Sequence, residues 1–131
     1  MSNLNSNLPQ WEKRVQIVKF LYSFLIKKNS ISETKKEAFE YNFDANQLRV
    51  IEYCLNNFQA IHLILDSQVN SKWQFDRLNY VDQAILLEAY SEYQVSKTDK
   101  AILIDQSIIT AKKYSDDSSF KYINAILEKV L

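Results

Sequence analysis

The sequence predicts an all-α fold, and three observations carry that expectation. The 131-residue chain has no glycine and one proline, Pro9, so tight hairpin turns that demand positive φ are disfavoured and long uninterrupted helices are easy. Apolar residues recur at helical spacing in segment after segment. At 47% hydrophobic content, a chain of this length buries about two thirds of its unfolded surface, which makes residues 1–131 a single domain.

The first helix is predicted to start near Pro9, which suits a first helical turn, and to run to about Lys28. Trp11, Val15, Val18, Tyr22 and Leu25 form its apolar stripe, widened by Ile17 and Leu21. Arg14 projects within that sector and needs an acidic partner or an exit to solvent, while Phe20 falls in the polar sector near Lys13 and Lys27. An aromatic among lysines can stack on a base, but packing is the preferred account of Phe20.

A short helix over about Glu33 to Tyr41 follows Ser32, and DANQ, opened by Asp44, has the spacing of a capping box. The run from Ala45 to about Val69 is too long for one helix in a domain this size and is expected to break near Phe58 or Gln59. Leu48, Ile51, Leu55, Phe58, Ile61 and Leu65 are its core positions. Residues 70–80 read as a connection with at most a short helical turn. Helices then span Val81 to about Val95, with Val81, Ala84, Ile85 and Ala89 inward, and about Lys100 to Tyr114, with Ala101, Ile104, Ile108 and Ala111 inward. A closing helix follows DDSS, capped by Asp117 or Ser118, with Phe120, Ile123, Leu127, Val130 and Leu131 on one stripe.

Composition also excludes chemistry. Phosphate-cradling loops, dinucleotide fingerprints and nucleophile elbows need glycine where backbone approaches a ligand. Cys54 is the one cysteine and reads as a buried small hydrophobe in a reducing cytoplasm. His62 has no second histidine or cysteine at ligand spacing, so a hydrogen-bonded core or interhelix histidine is preferred to a metal ligand or base. Glu88 and Glu92, at i and i+4, are taken as a solvated or partner-facing acidic edge rather than an acid–base pair, and Asp116 and Asp117 as capping residues. No nucleophile has an identifiable base; neither an enzyme nor a cofactor or metal site is expected. The polar start MSNLNSNLPQ lacks a signal core, and no apolar run approaches a membrane span of about 20 residues. The expectation is a cytoplasmic protein without a membrane partner.

Formal net charge is zero, but residues 1–30 hold Lys13, Arg14, Lys19, Lys27 and Lys28 against Glu12, a local balance of +4. This fits either a local phosphate contact or a solvated helix face.

The order of residues in the second half resembles the NusB family of bacterial transcription antitermination factors. The matching positions are Trp73, Arg77 and Leu78; Asp82, Ala84, Ile85, Leu86, Ala89 and Glu92; Ala111 and Lys112; and Ser119, Lys121, Tyr122, Ile123, Asn124 and Leu127. Near the start, Arg14, Val18, Leu21 and Tyr22 match the family's opening helix. The resemblance implies two small helical bundles packed into one domain, about 9–70 and 71–131. It implies a non-enzymatic role: binding boxA-type RNA of ribosomal RNA transcripts together with NusE, a small-subunit ribosomal protein, within an antitermination complex on RNA polymerase. By that resemblance Lys13, Arg14, Tyr22, Lys112, Lys113, Tyr114, Ser118, Lys121 and Tyr122 form the RNA side. Asp82 and Tyr22 face NusE, and self-association through partner faces as a homodimer is also implied. Lysine and arginine would position the RNA backbone and tyrosine rings would stack on unpaired bases.

The chain departs from the family where LPQWEK replaces a cluster of arginines before Arg14, where Ser115 and Ala125 stand for glycine, and where Ser118 replaces a common aspartate. Fewer phosphate contacts flatten the salt dependence of binding. A second function class therefore stays open: a protein-only adaptor that keeps the NusE face without strong RNA contact. A third, an RNA-binding domain like that fused to some ribosomal RNA methyltransferases, fits less well because no catalytic domain is attached.

Overall fold

Pro9, at φ −58° and ψ 150°, opens α1 (Gln10–Lys27). In the computed structural model residues 8–69 and 75–131 are described, and among them the elements are seven α-helices and one 3-10 turn, without a strand. The all-α expectation is met. The expected bundle boundary near residue 70, and Trp73, lie outside the described residues.

Ser30, rather than Ser32, caps α2 (Ile31–Ala38), its hydroxyl accepting from the Glu33 amide at 3.1 Å. The helix closes at Ala38, short of Tyr41, because the amides of Phe39, Glu40 and Tyr41 turn back to the carbonyls of Lys36, Glu37 and Ala38 in a tightening 3-10 turn. The capping box at α3 (Ala45–Asn56) is complete, with the Gln47 amide on Asp44 and the Asp44 amide on Gln47, both at 2.8 Å. Asn57, at φ −115°, separates α3 from α4 (Phe58–Gln68), at the expected break.

A 3-10 turn, Phe75–Arg77, leads to α5 (Tyr80–Ser96), capped by Asn79 on the Asp82 amide at 2.8 Å. Asp99 caps α6 (Lys100–Tyr114), and α7 (Ser119–Val130) closes the fold. The expected cap of α7 is not formed by Ser118, whose side chain makes no capping bond; the Ser119 amide instead bonds the Asp116 carbonyl at 3.0 Å.

Every residue from Asp82 to Glu92 is buried, more than the one-face pattern predicts. The reason is position: α5 packs against α1, α3, α6 and α7. A helix enclosed all round loses its polar face. Leu21, Val50, Leu55, Leu65, Phe75, Leu86, Leu87, Ile123 and Leu127 meet in one continuous core. Two positions expected inward are not: Tyr22 and Ala101 are exposed. Phe20 is buried, edge-on to Tyr41 and Phe43 with ring centroids 5.2 and 5.5 Å away, so packing is the correct reading.

With no glycine available, Lys28 and Lys97 take the left-handed conformation (φ 56° and 54°) that ends α1 and α5.

Candidate nucleic-acid interface

Arg14 is where the expected phosphate contact has to be corrected. It lies in the apolar sector of α1 and meets Glu92 of α5 in a two-pronged ion pair, Nε to Oε1 and Nη2 to Oε2 both at 2.9 Å. Nη1 adds a hydrogen bond to Gln106 at 3.1 Å. The Arg14 side chain is 11% exposed and the Glu92 side chain 6%, so the guanidinium is committed to an internal anion and is not offered to solvent.

Glu88 and Glu92 are likewise not the expected acidic edge, being 3% and 5% exposed. Burial, reinforced by the charge of Glu92, pushes the Glu88 carboxyl well above the usual range, which favours its protonated form. Burial also acts to raise Glu92, but hydrogen bonds from Arg14, Glu88 and Thr98 outweigh it and hold that carboxylate below its ordinary value. Arg14 is thus the counter-charge for the ionised member of this buried pair.

Asp82, expected to face a protein partner, is also internal: it is fully buried at the start of α5. Ser115 donates to its Oδ1 at 2.7 Å, Ser119 to Oδ2 at 2.9 Å, and the Tyr122 hydroxyl donates to Oδ2 as well. Burial raises this carboxyl despite those hydroxyls. Its work is to tie α5 to the loop before α7 and to hold Tyr122.

Lys13 turns to Asp44, with Nζ to Oδ2 at 3.0 Å, on the α3 side of α1. Gln47 completes that seam, its amide donating to the Lys13 carbonyl and to Gln16 Oε1.

The remaining cations are arranged differently. Lys112 and Lys113 occupy the last turn of α6, where the helix dipole favours positive charge. Lys112 Nζ sits 4.6 Å from the centroid of Phe120, and Lys113 Nζ sits 5.2 Å from Trp11 and 5.4 Å from Tyr114. Lys19 of α1 reaches the same Tyr114 ring at 5.4 Å. Trp11 is anchored by its Nε1 donating to Thr110 at 3.0 Å. The result is two neighbouring cation–ring groupings at the end of α6: Lys19 and Lys113 about Trp11 and Tyr114 where α1 meets α6, and Lys112 over Phe120 where α6 meets α7. Lys112, Lys113 and Tyr114 were legible in sequence; Lys19, Trp11 and Phe120 were not, because Trp11 and Phe120 read as core and Lys19 as one of several N-terminal cations.

Ser118, Lys121 and Tyr122 border a separate groove of about 630 Å³, with Leu78, Ile126 and Lys129 among its walls. Tyr22, 38% exposed, edges a third depression of about 320 Å³ together with Asp76, Leu78 and Tyr80. Of the sequence-predicted residues, then, the fold gathers Lys112, Lys113 and Tyr114 at the end of α6, sets Ser118, Lys121 and Tyr122 on the separate groove, and turns Lys13, Arg14 and Asp82 to partners within the chain.

His62 accepts the expected interhelix role: Nε2 lies 2.7 Å from Asp76, and the ring is edge-on to Phe75 at 4.9 Å. Among the described residues no group of three or more His, Cys, Asp or Glu side chains is placed to hold a metal ion, and no helix is long and apolar enough to cross a membrane.

Comparison with known proteins gives a consistent picture. The profile of the NusB family matches residues 12–131. The "Transcription antitermination protein NusB" of Clostridium tetani is 31% identical over 129 residues, covering 91% of this chain and 84% of that one. Its counterpart in Sulfurovum sp. is 28% identical over 123 residues, covering 91% and 95%. A solved structure of T. maritima NusB superposes with a TM-score of 0.81 at 24% identity, covering 94% of this chain and 90% of that one, and shares the fold.

Proposed function

This chain belongs to the NusB family, and on that premise we propose that it is a transcription antitermination protein that binds boxA-type single-stranded RNA of ribosomal RNA transcripts together with NusE. The observation that carries the RNA side is the gathering of Lys19 and Lys113 on the rings of Trp11 and Tyr114, with Lys112 over Phe120 at the same end of α6. Single-stranded RNA is held by this pairing of groups: ammonium groups sit against phosphates, and unstacked bases lie on aromatic faces. Lys121, Tyr122 and Ser118 would continue the track along α7, with Asp82 acting through its hydrogen bond to Tyr122. Tyr22 and the depression beside it are the proposed protein-facing edge, for NusE or for a second copy of the chain. The role is binding rather than catalysis, in the cytoplasm, within an antitermination complex on RNA polymerase.

A second reading, the protein-only adaptor, draws on a specific observation: Arg14 and Lys13, the two basic residues expected to contact RNA from the N-terminal helix, are paired with Glu92 and Asp44. Titrating fluorescent boxA-type RNA into the protein, with and without NusE, at two salt concentrations separates the two. RNA binding that weakens as salt rises and tightens with NusE supports the first reading. NusE binding with no RNA binding in any condition supports the adaptor and rejects the first.

A further inference from the structure

On the other flank of α1 from Tyr114 lies a trough that the family resemblance does not mark. It holds about 240 Å³ and runs between Gln16, Lys19 and Phe20 of α1 and the α2–α3 connection Tyr41–Asn42–Phe43. Its aromatic wall is built rather than incidental. Tyr41 and Phe43 stack with centroids 5.4 Å apart at 20°, and both meet the buried edge of Phe20 at nearly 90°. Tyr41 nevertheless stays 48% exposed, so it presents a rigidly backed ring to solvent.

Lys19 belongs to both places. It lines the trough and stands 5.4 Å from the Tyr114 centroid. Around the helix Gln16 lies between Lys19 and Phe20, so the exposed Lys19 stands at the rim of the trough, between its aromatic wall and Tyr114. The trough is smaller than cavities that enclose drug-sized ligands, about 300–1,000 Å³, and suits a single flat ring system.

We infer that this trough takes one unstacked base of the bound RNA, with Lys19 holding the phosphate that links it to the nucleotide on Tyr114. The RNA then crosses α1 rather than stopping at the α1–α6 seam. An anionic chain with detachable flat rings is the occupant that uses both features of the site, the cation at its rim and the stacked rings in its wall. The inference rests on the RNA reading above and extends it to Lys19, Tyr41 and Phe43.

The test uses the full chain and a 12-nucleotide boxA-type RNA carrying 4-thiouridine at single positions, with a fluorescent label for titration. In the wild-type protein, photocrosslinks are expected at residues 41–43 from a position neighbouring the one that crosslinks near Tyr114. Tyr41→Ala is expected to weaken binding about tenfold and Tyr41→Phe, which keeps the ring, by less than about twofold, consistent with the usual range for a single base stack. Crosslinks confined to the Tyr114 side, with Tyr41→Ala binding as the wild type does while Lys113→Ala weakens binding, would overturn the trough and leave the RNA reading standing. An absence of binding by the wild-type protein would overturn both.

Discussion

Arg14 shows what one side chain decides. Paired with Glu92 at 2.9 Å on two prongs and 11% exposed, it is the counter-charge that permits a carboxylate inside the bundle. Arg14→Ala should therefore cost about 3 kcal/mol or more, since it leaves a buried anion without its partner; urea denaturation at neutral pH measures it. Glu88 carries the opposite linkage. Burial raises its carboxyl well above the ordinary glutamate range, so the fold holds that proton to higher pH than the unfolded chain does. The unfolded state then binds fewer protons, and stability falls as pH rises above about 4.5 towards the folded value. Glu88→Gln, which keeps a donor for Glu92 without an ionisable group, should flatten that decline and stabilise the protein at pH 7; denaturation midpoints across pH 4.5–7.5 give the slope. That Arg14 required an acid was legible from its place in an apolar stripe. Which acid it finds was not, because Glu92 lies 78 positions away and only the packing of α1 on α5 brings them together.

At the scale of the element, local chemistry sets most boundaries. Asp44 with Gln47, Asn79 with Asp82 and Asp99 with Ala101 each satisfy free amides at a helix start. Asn79→Ala should cost about 1 kcal/mol in a thermal or urea melt, the usual value of an N-cap. The helix ends are less typical. Lys28 and Lys97 hold the left-handed conformation that glycine adopts without penalty. Lys97→Gly should be neutral to stabilising by up to about 1 kcal/mol, the relief at φ 54° offsetting the entropy glycine adds to the unfolded chain; a clear loss of stability would contradict the strain account. Capping boxes and breaks are written in adjacent residues, which is why the break before Phe58 was readable. The enclosure of α5 was not: its buried Asp82, Gln83, Glu88 and Glu92 look like a solvated face until the neighbouring helices are in place. The same blindness made Asp82 a surface candidate, when its carboxylate is filled by Ser115, Ser119 and Tyr122.

At the scale of the whole molecule, zero net charge conceals a sorted surface. Lys13 and Arg14 are neutralised by internal or neighbouring acids, while Lys19, Lys112 and Lys113, facing solvent at the contacts of α6 with α1 and α7, have aromatic rings beneath them. On the proposed RNA reading, affinity would rest on a few phosphate contacts and on stacking, so salt sensitivity should be shallow. The family was readable from the residues between Trp73 and Leu127, while the composition of the patch needed the fold, because Trp11 and Lys113 are far apart in the chain and share a surface only after α1 and α6 are placed. The direct test is the affinity of the wild-type protein and of a Lys112→Ala, Lys113→Ala double variant for boxA-type RNA over a series of salt concentrations. The expected outcome is a linear fall of log K with log salt in the wild type, and in the double variant weaker binding with a slope smaller by about 1.4, two phosphate contacts on a single strand at about 0.7 each. Equal affinities and equal slopes for the two proteins would contradict the assignment of RNA binding to this surface.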